Sequence, residues 1–268
     1  MKTIYGRIVF MLNKNTFVFD VDGTLAECRD EPIYEKNKLA LQCLLESGKN
    51  VLIVSAGRAK RILNQLNSTG VLQGKISIMG NYGLDCIEVQ NGEVVNESKV
   101  SYKSEIDEKF VNDLVMKFRK ENGFEKFEGA SHLINESGLV VIALLGTDAT
   151  KEDKKNFDPD GKKRQMLVEK LEKILPSNMK AYVAGQASID IIDSRFDKKN
   201  AIMLYAKQNF CTQDEILFFG DEITTPFGND SSLLNSGIDY VEVKNYKEVS
   251  TFFENNFKNM ADKNKKFA

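Results

Sequence analysis

The chain has 268 residues, of which 42% are hydrophobic, so it can bury a full core in one large domain or two smaller ones. Its 37 basic and 39 acidic residues leave a formal charge of −2, which gives no general attraction to nucleic acid or to an anionic membrane. No apolar run approaches the roughly 18 residues that span a bilayer, and the stretch at residues 8–12 is too short for a signal-peptide core.

The cysteines and the histidine narrow the chemistry further. The four cysteines are far apart and form no CxxC pair, which is typical of reduced thiols and predicts a cytoplasmic protein without a disulfide framework. His132 is the only histidine, which excludes a histidine-centred triad and a zinc site with several histidines. Acid–base chemistry must therefore use carboxylates.

Three short apolar runs in the first part of the chain predict buried strands, at residues 16–20, 51–54 and 76–79. Between the first two, Pro32 opens a helix with leucines on one face, and Gly48 ends it. A second helix, with Ile62 and Leu66 on one face, precedes the third strand. Strands that alternate with helices across short connections predict a parallel sheet covered on both faces.

The pattern changes after residue 85. Asn91-Gly92 lies between two extended runs, which predicts a hairpin. Apolar residues at helical spacing from Ile106 to Phe118 predict a long helix that ends at Gly123. A strand at residues 139–145 and a second helix ended by Pro176 follow. Hairpin, helix, strand, helix and strand in this order predict an antiparallel α+β insert of about a hundred residues.

The strand–helix alternation resumes after residue 188, with a helix from Lys198, strands at residues 216–219 and 240–243, and a final helix. We therefore predict one parallel α/β core that a second domain interrupts. The core domain would comprise residues 1–88 and 188–268, and the insert residues 89–187. A mobile insert would hinge near Glu88 and near residues 187–188.

Acidic side chains follow two of the predicted core strands. Asp20 and Asp22 end the first strand, and Asp221 ends the strand at residues 216–219. Ligands of open α/β sheets bind beyond the carboxyl ends of the strands, where three converging carboxylates would repel one another unless a cation lay among them. Oxygen ligands favour Mg²⁺ over zinc. Any one of these acids alone could instead cap a helix, but all three together with Lys198 favour a site.

Four motifs, in this order, resemble the haloacid dehalogenase superfamily: Phe19-Asp20-Val21-Asp22-Gly23-Thr24; Ser55 after the strand at residues 51–54; Lys198; and Gly220-Asp221-Glu222 with Gly228-Asn229-Asp230. The resemblance covers the whole chain and implies a Rossmann-like parallel-sheet core with an inserted α+β cap domain. The second motif is looser, because many members have Thr-Gly-Arg where this chain has Ala56-Gly57-Arg58. Ser55 is assigned because it carries a hydroxyl and follows the strand.

The resemblance also implies roles. Asp20 would attack the substrate phosphorus and form an aspartyl phosphate. Asp22 would protonate the leaving oxygen and later deprotonate the attacking water or alcohol, while Ser55 and Lys198 would hold the phosphoryl oxygens. The implied Mg²⁺ ligands are Asp20, the backbone carbonyl of Asp22, and Asp221, with Asp230 as outer support.

Within the superfamily, the chain resembles the eukaryotic-type phosphomannomutases. Arg29 stands nine positions after Asp20, where those enzymes place a substrate-binding arginine. The run Gly185-Gln186-Ala187-Ser188-Ile189-Asp190 resembles their hinge segment, and the resemblance assigns Ser188 and Asp190 to substrate binding. Related mutases pair through their caps, which makes a homodimer through the cap possible.

The cap departs from that pattern. Phosphomannomutases hold a second phosphate with three cap arginines, and this chain has Glu136, Thr147 and Lys154 at the corresponding positions. A carboxylate repels a phosphate, and a single lysine lacks the bidentate fork of arginine, although Lys154 could still bind substrate. We therefore predict a Mg²⁺-dependent phosphatase of a small phosphorylated metabolite, with a sugar phosphate favoured.

Two alternatives stay open from the sequence. A sugar-phosphate mutase is possible if the second phosphate is held by other cations of the insert, namely Lys151, Lys155, Lys162 or Arg164. A catalytically silent binding protein is possible because a fold alone does not establish an activity. None of the three predictions involves nucleic acid or a membrane as a partner.

Overall fold

The computed structural model describes residues 13–29 and 31–264, so the stretch at residues 8–12 lies outside them. In these ranges the strands are β1 (Thr16–Phe19), β2 (Asn50–Val54), β3 (Lys75–Gly80), β4 (Asp85–Gln90), β5 (Glu93–Lys99), β6 (His132–Ile134), β7 (Val140–Ala143), β8 (Met179–Ala184), β9 (Ser188–Asp193), β10 (Ile216–Gly220) and β11 (Asp239–Glu242). The α-helices are α1 (Glu35–Glu46), α2 (Ala59–Asn67), α3 (Glu108–Glu121), α4 (Lys151–Phe157), α5 (Lys162–Glu172), α6 (Lys198–Gln208) and α7 (Glu248–Asn264). None of the helices so described is long and apolar enough to cross a bilayer.

These strands form two sheets. The core sheet has the order β11-β10-β1-β2-β3-β4-β5, in which the first five strands run parallel and the hairpin β4–β5 is antiparallel. The insert sheet has the order β6-β7-β9-β8 and is antiparallel throughout. The predicted parallel α/β core and antiparallel α+β insert are confirmed.

The central strand β1 is apolar on both faces because helices cover both faces of the core sheet. Successive side chains of a strand point to opposite sides, so Phe17 and Phe19 pack on one face with Phe253 of α7. Val18 packs on the other face with Ile202 of α6. This packing fixes β1 in the middle of the sheet and brings its last residue to the carboxyl edge.

Two strands join a different sheet from the one that the sequence suggested. β5 extends the core sheet, and β9 pairs with β7 and β8 in the insert sheet. The predicted hinge positions therefore lie in paired backbone, since Glu88 faces Ser77 of β3 and Ser188 faces Ala143 of β7. The chain crosses between the sheets at residues 100–102 and 194–197. The division into residues 89–187 and the remainder stays a prediction, and sheet membership would move its boundaries to these two crossings.

The insert packs onto the carboxyl edge of the core sheet. Tyr82, which follows β3, stacks on Tyr182 of β8 with ring centroids 5.6 Å apart, and its hydroxyl donates to Asp190 Oδ2 at 3.0 Å. Phe227, in the loop after β10, packs against the apolar core of the insert, and its carbonyl accepts from the Val183 amide at 2.9 Å. The insert therefore covers the edge where ligands of parallel sheets bind.

Candidate active site

A lysine and two carboxylates form the centre of the site. Asp20 follows β1, and its Oδ1 lies 2.7 Å from Nζ of Lys198, the first residue of α6. The same ammonium group donates to Oδ1 of Asp230 at 2.6 Å. Asp20 is 3% exposed, and Lys198 and Asp230 are fully buried. Lys198 therefore bridges two carboxylates that come from opposite ends of the sequence.

Asp221 completes the acidic cluster. Carboxylate oxygens of Asp20, Asp221 and Asp230 all lie within 4.8 Å of one another. The Thr24 hydroxyl donates to Asp221 Oδ1 at 3.2 Å, and the Glu222 amide donates to Asp230 Oδ2 at 3.2 Å. The turn after β1 and the loop after β10 thus orient this cluster through hydrogen bonds.

Burial and neighbouring charges shift the pKa values of these groups. Burial raises the pKa of the Asp20 carboxyl to about 7; Lys198 opposes this rise, and the charges of Asp230 and Asp22 add to it. Burial and the charge of Asp20 raise the pKa of Asp221 well above its ordinary value. Burial alone would lower the pKa of the Lys198 ammonium, but Asp20 and Asp230 outweigh burial and raise it.

The cluster fits a hard divalent cation. Three carboxylates carry more negative charge than one ammonium group neutralises, and this excess adds to the effect of burial in raising the pKa values of Asp20 and Asp221. All the clustered donors are oxygen atoms, which are the ligands that Mg²⁺ prefers, and they lie within 4.8 Å of one another. Asp20, Asp221 and Asp230 are therefore the side chains that would hold it.

Gly23 leaves the space that Asp221 fills. A Cβ atom on Gly23 would overlap Asp221 Oδ2, and its backbone has a φ of +87°, which favours glycine. We expect Gly23→Ala to displace the Asp221 carboxylate and to weaken Mg²⁺ binding by about 10–100-fold. Loss of a residue that keeps a metal ligand in position typically has an effect of this size. Calorimetric titration with Mg²⁺ measures this affinity.

Gly48 provides the matched control for this substitution. Its φ of +70° is also left-handed, but no described heavy atom lies within 4 Å of an added Cβ. Gly48→Ala should therefore cost backbone strain and leave Mg²⁺ affinity unchanged. Equal losses of affinity in the two variants would attribute the effect to strain and not to Asp221.

The predicted phosphate-binding serine lies at the same sheet edge. Ser55 directly follows β2, is 2% exposed, and accepts a hydrogen bond from the Gly57 amide at 3.0 Å through its hydroxyl oxygen. The Ser55 amide donates to the Met79 carbonyl of β3 at 3.0 Å. The hydroxyl is thus held at a fixed position one strand away from Asp20.

The Asp22 side chain is oriented differently from the cluster. Its carboxylate faces the Arg61 guanidinium of α2, with Nη2 3.1 Å from Oδ2 and Nη1 3.4 Å from Oδ1. The Asp22 side chain retains 38% of its exposure. The side chain of Asp22, the predicted acid–base residue, is therefore paired with Arg61 and not with Lys198, although its charge acts on Asp20.

The predicted substrate-binding residues Arg29, Asp190 and Ser188 come from both the core and the insert. Burial raises the pKa of the Asp190 carboxyl to about 7, against the opposing effects of the Tyr82 hydrogen bond and of the Arg29 charge. Arg29 is exposed on the core side, whereas Asp190 is buried in β9. Ser188 is half-buried at the start of the same strand.

Two of the three cap positions lie in contact, and the third lies at the other end of β7. Glu136 is exposed in the turn between β6 and β7, whereas Thr147 follows the other end of β7. Lys154 of α4 donates to the Thr147 carbonyl at 3.0 Å. These positions are therefore not arranged as one three-residue anion clamp.

Two of the alternative cations already have partners within the insert. Arg164 is buried, forms an ion pair with Asp158 at 2.9 Å, and donates to the carbonyls of Ala184 and Gly185. Lys162 pairs with Asp160 at 2.9 Å on the surface. Using either cation for a second phosphate would require these contacts to be broken or shared.

A family model agrees with the geometry. The model of the haloacid dehalogenase-like hydrolases matches residues 17–245, a span that includes every residue of the lysine–carboxylate cluster. The chain belongs to this family. The sequence-based resemblance to the superfamily is thereby confirmed.

Individual relatives of this haloacid dehalogenase-like hydrolase are distant. A phosphomannomutase of Encephalitozoon cuniculi is 23% identical over 232 residues, which are 83% of this chain and 85% of that protein. An IMP-bound, N-terminally truncated IMP-nucleotidase of Plasmodium falciparum has a TM-score of 0.66 at 14% identity, over 93% of this chain and 71% of that one. A haloacid dehalogenase-like hydrolase from B. subtilis has a TM-score of 0.53 at 13% identity, over 88% and 92%. The structural likenesses show the fold.

Sequence reasoning gave no role to three residues that the structure places at this hydrolase site. Arg61 contacts the Asp22 carboxylate, and the Tyr82 hydroxyl donates a hydrogen bond to Asp190. Glu222 Oε2 accepts hydrogen bonds from the backbone and side-chain nitrogens of Asn229 at 3.1 and 3.2 Å. Arg61 and Tyr82 follow strands at the carboxyl edge, and this position is the signal that could have marked them.

Proposed function

We propose that this haloacid dehalogenase-like hydrolase is a Mg²⁺-dependent phosphatase that acts on small phosphorylated metabolites, with sugar phosphates as the substrate class. One observation carries the proposal: Lys198 bridges Asp20 and Asp230 within an all-oxygen cluster that also contains Asp221. The cluster supplies a nucleophile, a fixed cation and ligands for a metal at one position. These are the requirements of phosphoryl transfer.

In the first half-reaction, a carboxylate oxygen of Asp20 attacks the substrate phosphorus. The bond between phosphorus and the ester oxygen breaks, and Asp22 gives its proton to that oxygen, so that an alcohol leaves. Lys198 holds the attacking carboxylate in place at 2.7 Å. Lys198 and the Ser55 hydroxyl are positioned to bind phosphoryl oxygens as charge develops on them.

In the second half-reaction, water attacks the phosphorus of the aspartyl phosphate. Asp22 removes a proton from this water, the bond between phosphorus and Asp20 breaks, and inorganic phosphate leaves with the Asp20 carboxylate restored. The insert over the carboxyl edge limits access of bulk water between the two steps. When bound by Asp20, Asp221 and Asp230, Mg²⁺ supplies charge neutralisation at the phosphoryl group.

The surroundings of the cluster support a small polar substrate. Arg29 and Asp190 lie close enough for the arginine charge to lower the carboxyl pKa, and they come from the core and the insert respectively. The Arg29 guanidinium, the Asp190 carboxyl and the Ser188 hydroxyl are groups that can bind hydroxyl groups as well as a phosphate. This combination suits a phosphorylated sugar.

A sugar-phosphate mutase is the second candidate, because a phosphomannomutase is among the relatives. A mutase must retain a bisphosphate while it turns over, so that a second hydroxyl and not water meets the aspartyl phosphate. Loss of one charged contact to a buried partner costs about 2–5 kcal/mol. The separation of Glu136 from Thr147 and Lys154 argues against such retention and favours water as the acceptor.

We expect phosphate release to exceed isomerisation. Enzyme with Mg²⁺ is incubated with mannose 1-phosphate or glucose 1-phosphate, with and without a catalytic amount of the corresponding 1,6-bisphosphate. Inorganic phosphate and the hexose 6-phosphate are then quantified over time. The phosphatase proposal requires inorganic phosphate to form faster in both conditions.

The Asp20→Asn variant is the control, since it removes both reactions and reveals any contaminating phosphatase. A hexose 6-phosphate product that forms much faster than inorganic phosphate would favour the mutase. Absence of both products, with aryl and other sugar phosphates also inert, would overturn the proposed activity.

A further inference from the structure

We infer that Arg61 is a positioning residue for Asp22, and that it couples this acid–base carboxylate to the substrate-binding segment around Arg29. The inference rests on the proposed phosphatase function and names a residue to which the four sequence motifs give no role. Arg61 lies on α2, one turn after Arg58, and faces the turn that follows β1. Its guanidinium makes a two-point contact with the Asp22 carboxylate.

The guanidinium is itself fixed from several directions. Arg61 Nη1 donates to Gln65 Oε1 at 2.9 Å, one turn further along α2, and to the carbonyl oxygen of Arg29 at 3.1 Å. Gln65 in turn donates through Nε2 to the carbonyl oxygens of Cys28 and Glu31. Arg61 and Gln65 therefore connect the segment around Arg29 to α2, the helix whose Arg61 also contacts Asp22.

The fold reserves space for this side chain. A Cβ atom on Gly57 would overlap the Arg61 guanidinium, so only glycine at this position leaves the arginine where it lies. Among the described residues, Arg61 Nε is buried and has no hydrogen-bond partner. An unpaired buried N–H costs about 1–3 kcal/mol, so the site retains Arg61 in this orientation at some cost to stability.

Stability does not account for the pair. The Arg61 and Asp22 side chains are 19% and 38% exposed, and ion pairs that solvent reaches contribute about 0–1 kcal/mol. Orientation is a larger effect. The backbone around Asp22 is fixed, because the Val21 carbonyl accepts from the amides of Leu25 and Ala26 at 2.8 and 2.9 Å. The main freedom left to Asp22 is rotation of its own side chain, and a bidentate contact with Arg61 restricts that rotation.

A misplaced acid–base group lowers the rates of only those steps that need a proton transfer. Nitrophenolate leaves phosphorus without being protonated, whereas the alkoxide of a sugar phosphate needs a proton from Asp22. Hydrolysis of the aspartyl phosphate needs Asp22 as a base for either substrate. Loss of Arg61 should therefore affect the two substrates differently, which a general structural defect would not.

The test compares Arg61→Met with the wild type on 4-nitrophenyl phosphate and mannose 6-phosphate in Mg²⁺. On the aryl ester we expect kcat/KM to be nearly unchanged and kcat to fall by about 10²-fold, with a burst of nitrophenolate as aspartyl phosphate accumulates. On mannose 6-phosphate, kcat and kcat/KM should both fall by about 10²-fold. Arg61→Lys should lie between, because it keeps the charge and loses the fork.

Lys60→Met is the matched control. Lys60 precedes Arg61 on the same helix, is 61% exposed, and pairs with Glu97 on the surface. It should behave as the wild type on both esters. Asp22→Asn should show the pattern of Arg61→Met more strongly. If Arg61→Met does not fold, Arg61→Lys provides the same comparison between the two esters.

The outcomes separate the inference from the function on which it rests. A wild type that releases no phosphate from either ester overturns the proposed function and the inference together. An active wild type with an unchanged Arg61→Met variant overturns the inference alone. So does an equal loss of kcat/KM on both esters, because that pattern indicates loss of phosphoryl binding and not a misplaced Asp22.

Discussion

Asp20→Asn is expected to abolish turnover, by about 10⁴-fold or more, which is the scale on which enzymes lose rate without their nucleophile. The amide has the shape of the carboxylate and can still accept a hydrogen bond from Lys198, but it lacks the charge that attacks phosphorus. Release of phosphate from an aryl phosphate in Mg²⁺ measures the loss. Substantial turnover by this variant, or full wild-type activity in a chelator, would rule out the mechanism.

The same substitution should also change how the free energy of unfolding depends on pH. In metal-free protein, the Asp20 pKa is raised from its ordinary value of 3.8 to about 7. The folded state therefore holds this proton more tightly than the unfolded state, and stability falls as pH rises from about 4 through about 7. Asp20→Asn lacks this titration, so in a chelator its free energy of unfolding should depend less on pH in that window.

The control for both measurements is Asp113→Asn. Asp113 is an exposed carboxylate of α3 in the insert, outside the cluster. It should keep wild-type turnover and the wild-type dependence of stability on pH. A chemical denaturation series at pH 5 and pH 8 with chelator, followed by the same series with Mg²⁺, makes the comparison.

Local patterns were sufficient for most of the core. The apolar runs that became β1, β2 and β3 are strands because both faces of a parallel sheet are buried, and that burial shows directly in the sequence. Asp20 and Asp221 could be placed at the carboxyl edge for the same reason. Lys198 could not be placed by spacing, because it lies 178 positions from Asp20; the family motifs identified it.

Sheet membership was beyond what the sequence could give. The Asn91-Gly92 turn between two extended runs predicts a hairpin, but it does not show which strand lies alongside that hairpin. β5 joined the core sheet and β9 the insert sheet through backbone pairing that leaves no mark on side-chain type. The contact between Arg61 and Asp22, 39 positions apart, likewise depends on how α2 lies over the turn after β1.

Lys198→Met should cost both catalysis and stability. Lys198 is fully buried and donates to Asp20 and Asp230 at 2.7 and 2.6 Å, so its loss leaves three crowded carboxylates without their cation. Removing one partner of a buried ion pair destabilises a protein by about 3–5 kcal/mol. Loss of one charged donor to the phosphoryl group lowers kcat by about 10²–10³-fold.

The stability loss should depend on pH and on metal in a predictable direction. Without Lys198, protonation of the carboxylates or binding of Mg²⁺ are the remaining ways to relieve their repulsion. In a chelator, the deficit relative to the wild type should therefore be largest at pH 8 and smaller at pH 5, and Mg²⁺ should reduce it at pH 8. Chemical denaturation under these three conditions gives the free energies of unfolding.

Lys199→Met separates this effect from a general perturbation of α6. Lys199 is the next residue of the helix and is half-buried, and its amide donates to the Ser232 hydroxyl. Because its side chain lies outside the acidic cluster, its replacement should leave turnover and the dependence on pH and Mg²⁺ unchanged. If Lys198→Met were as stable as the wild type in a chelator at pH 8, then Asp20, Asp221 and Asp230 could not all be ionised in the folded protein. Excess negative charge would then not be what selects a divalent cation at this cluster.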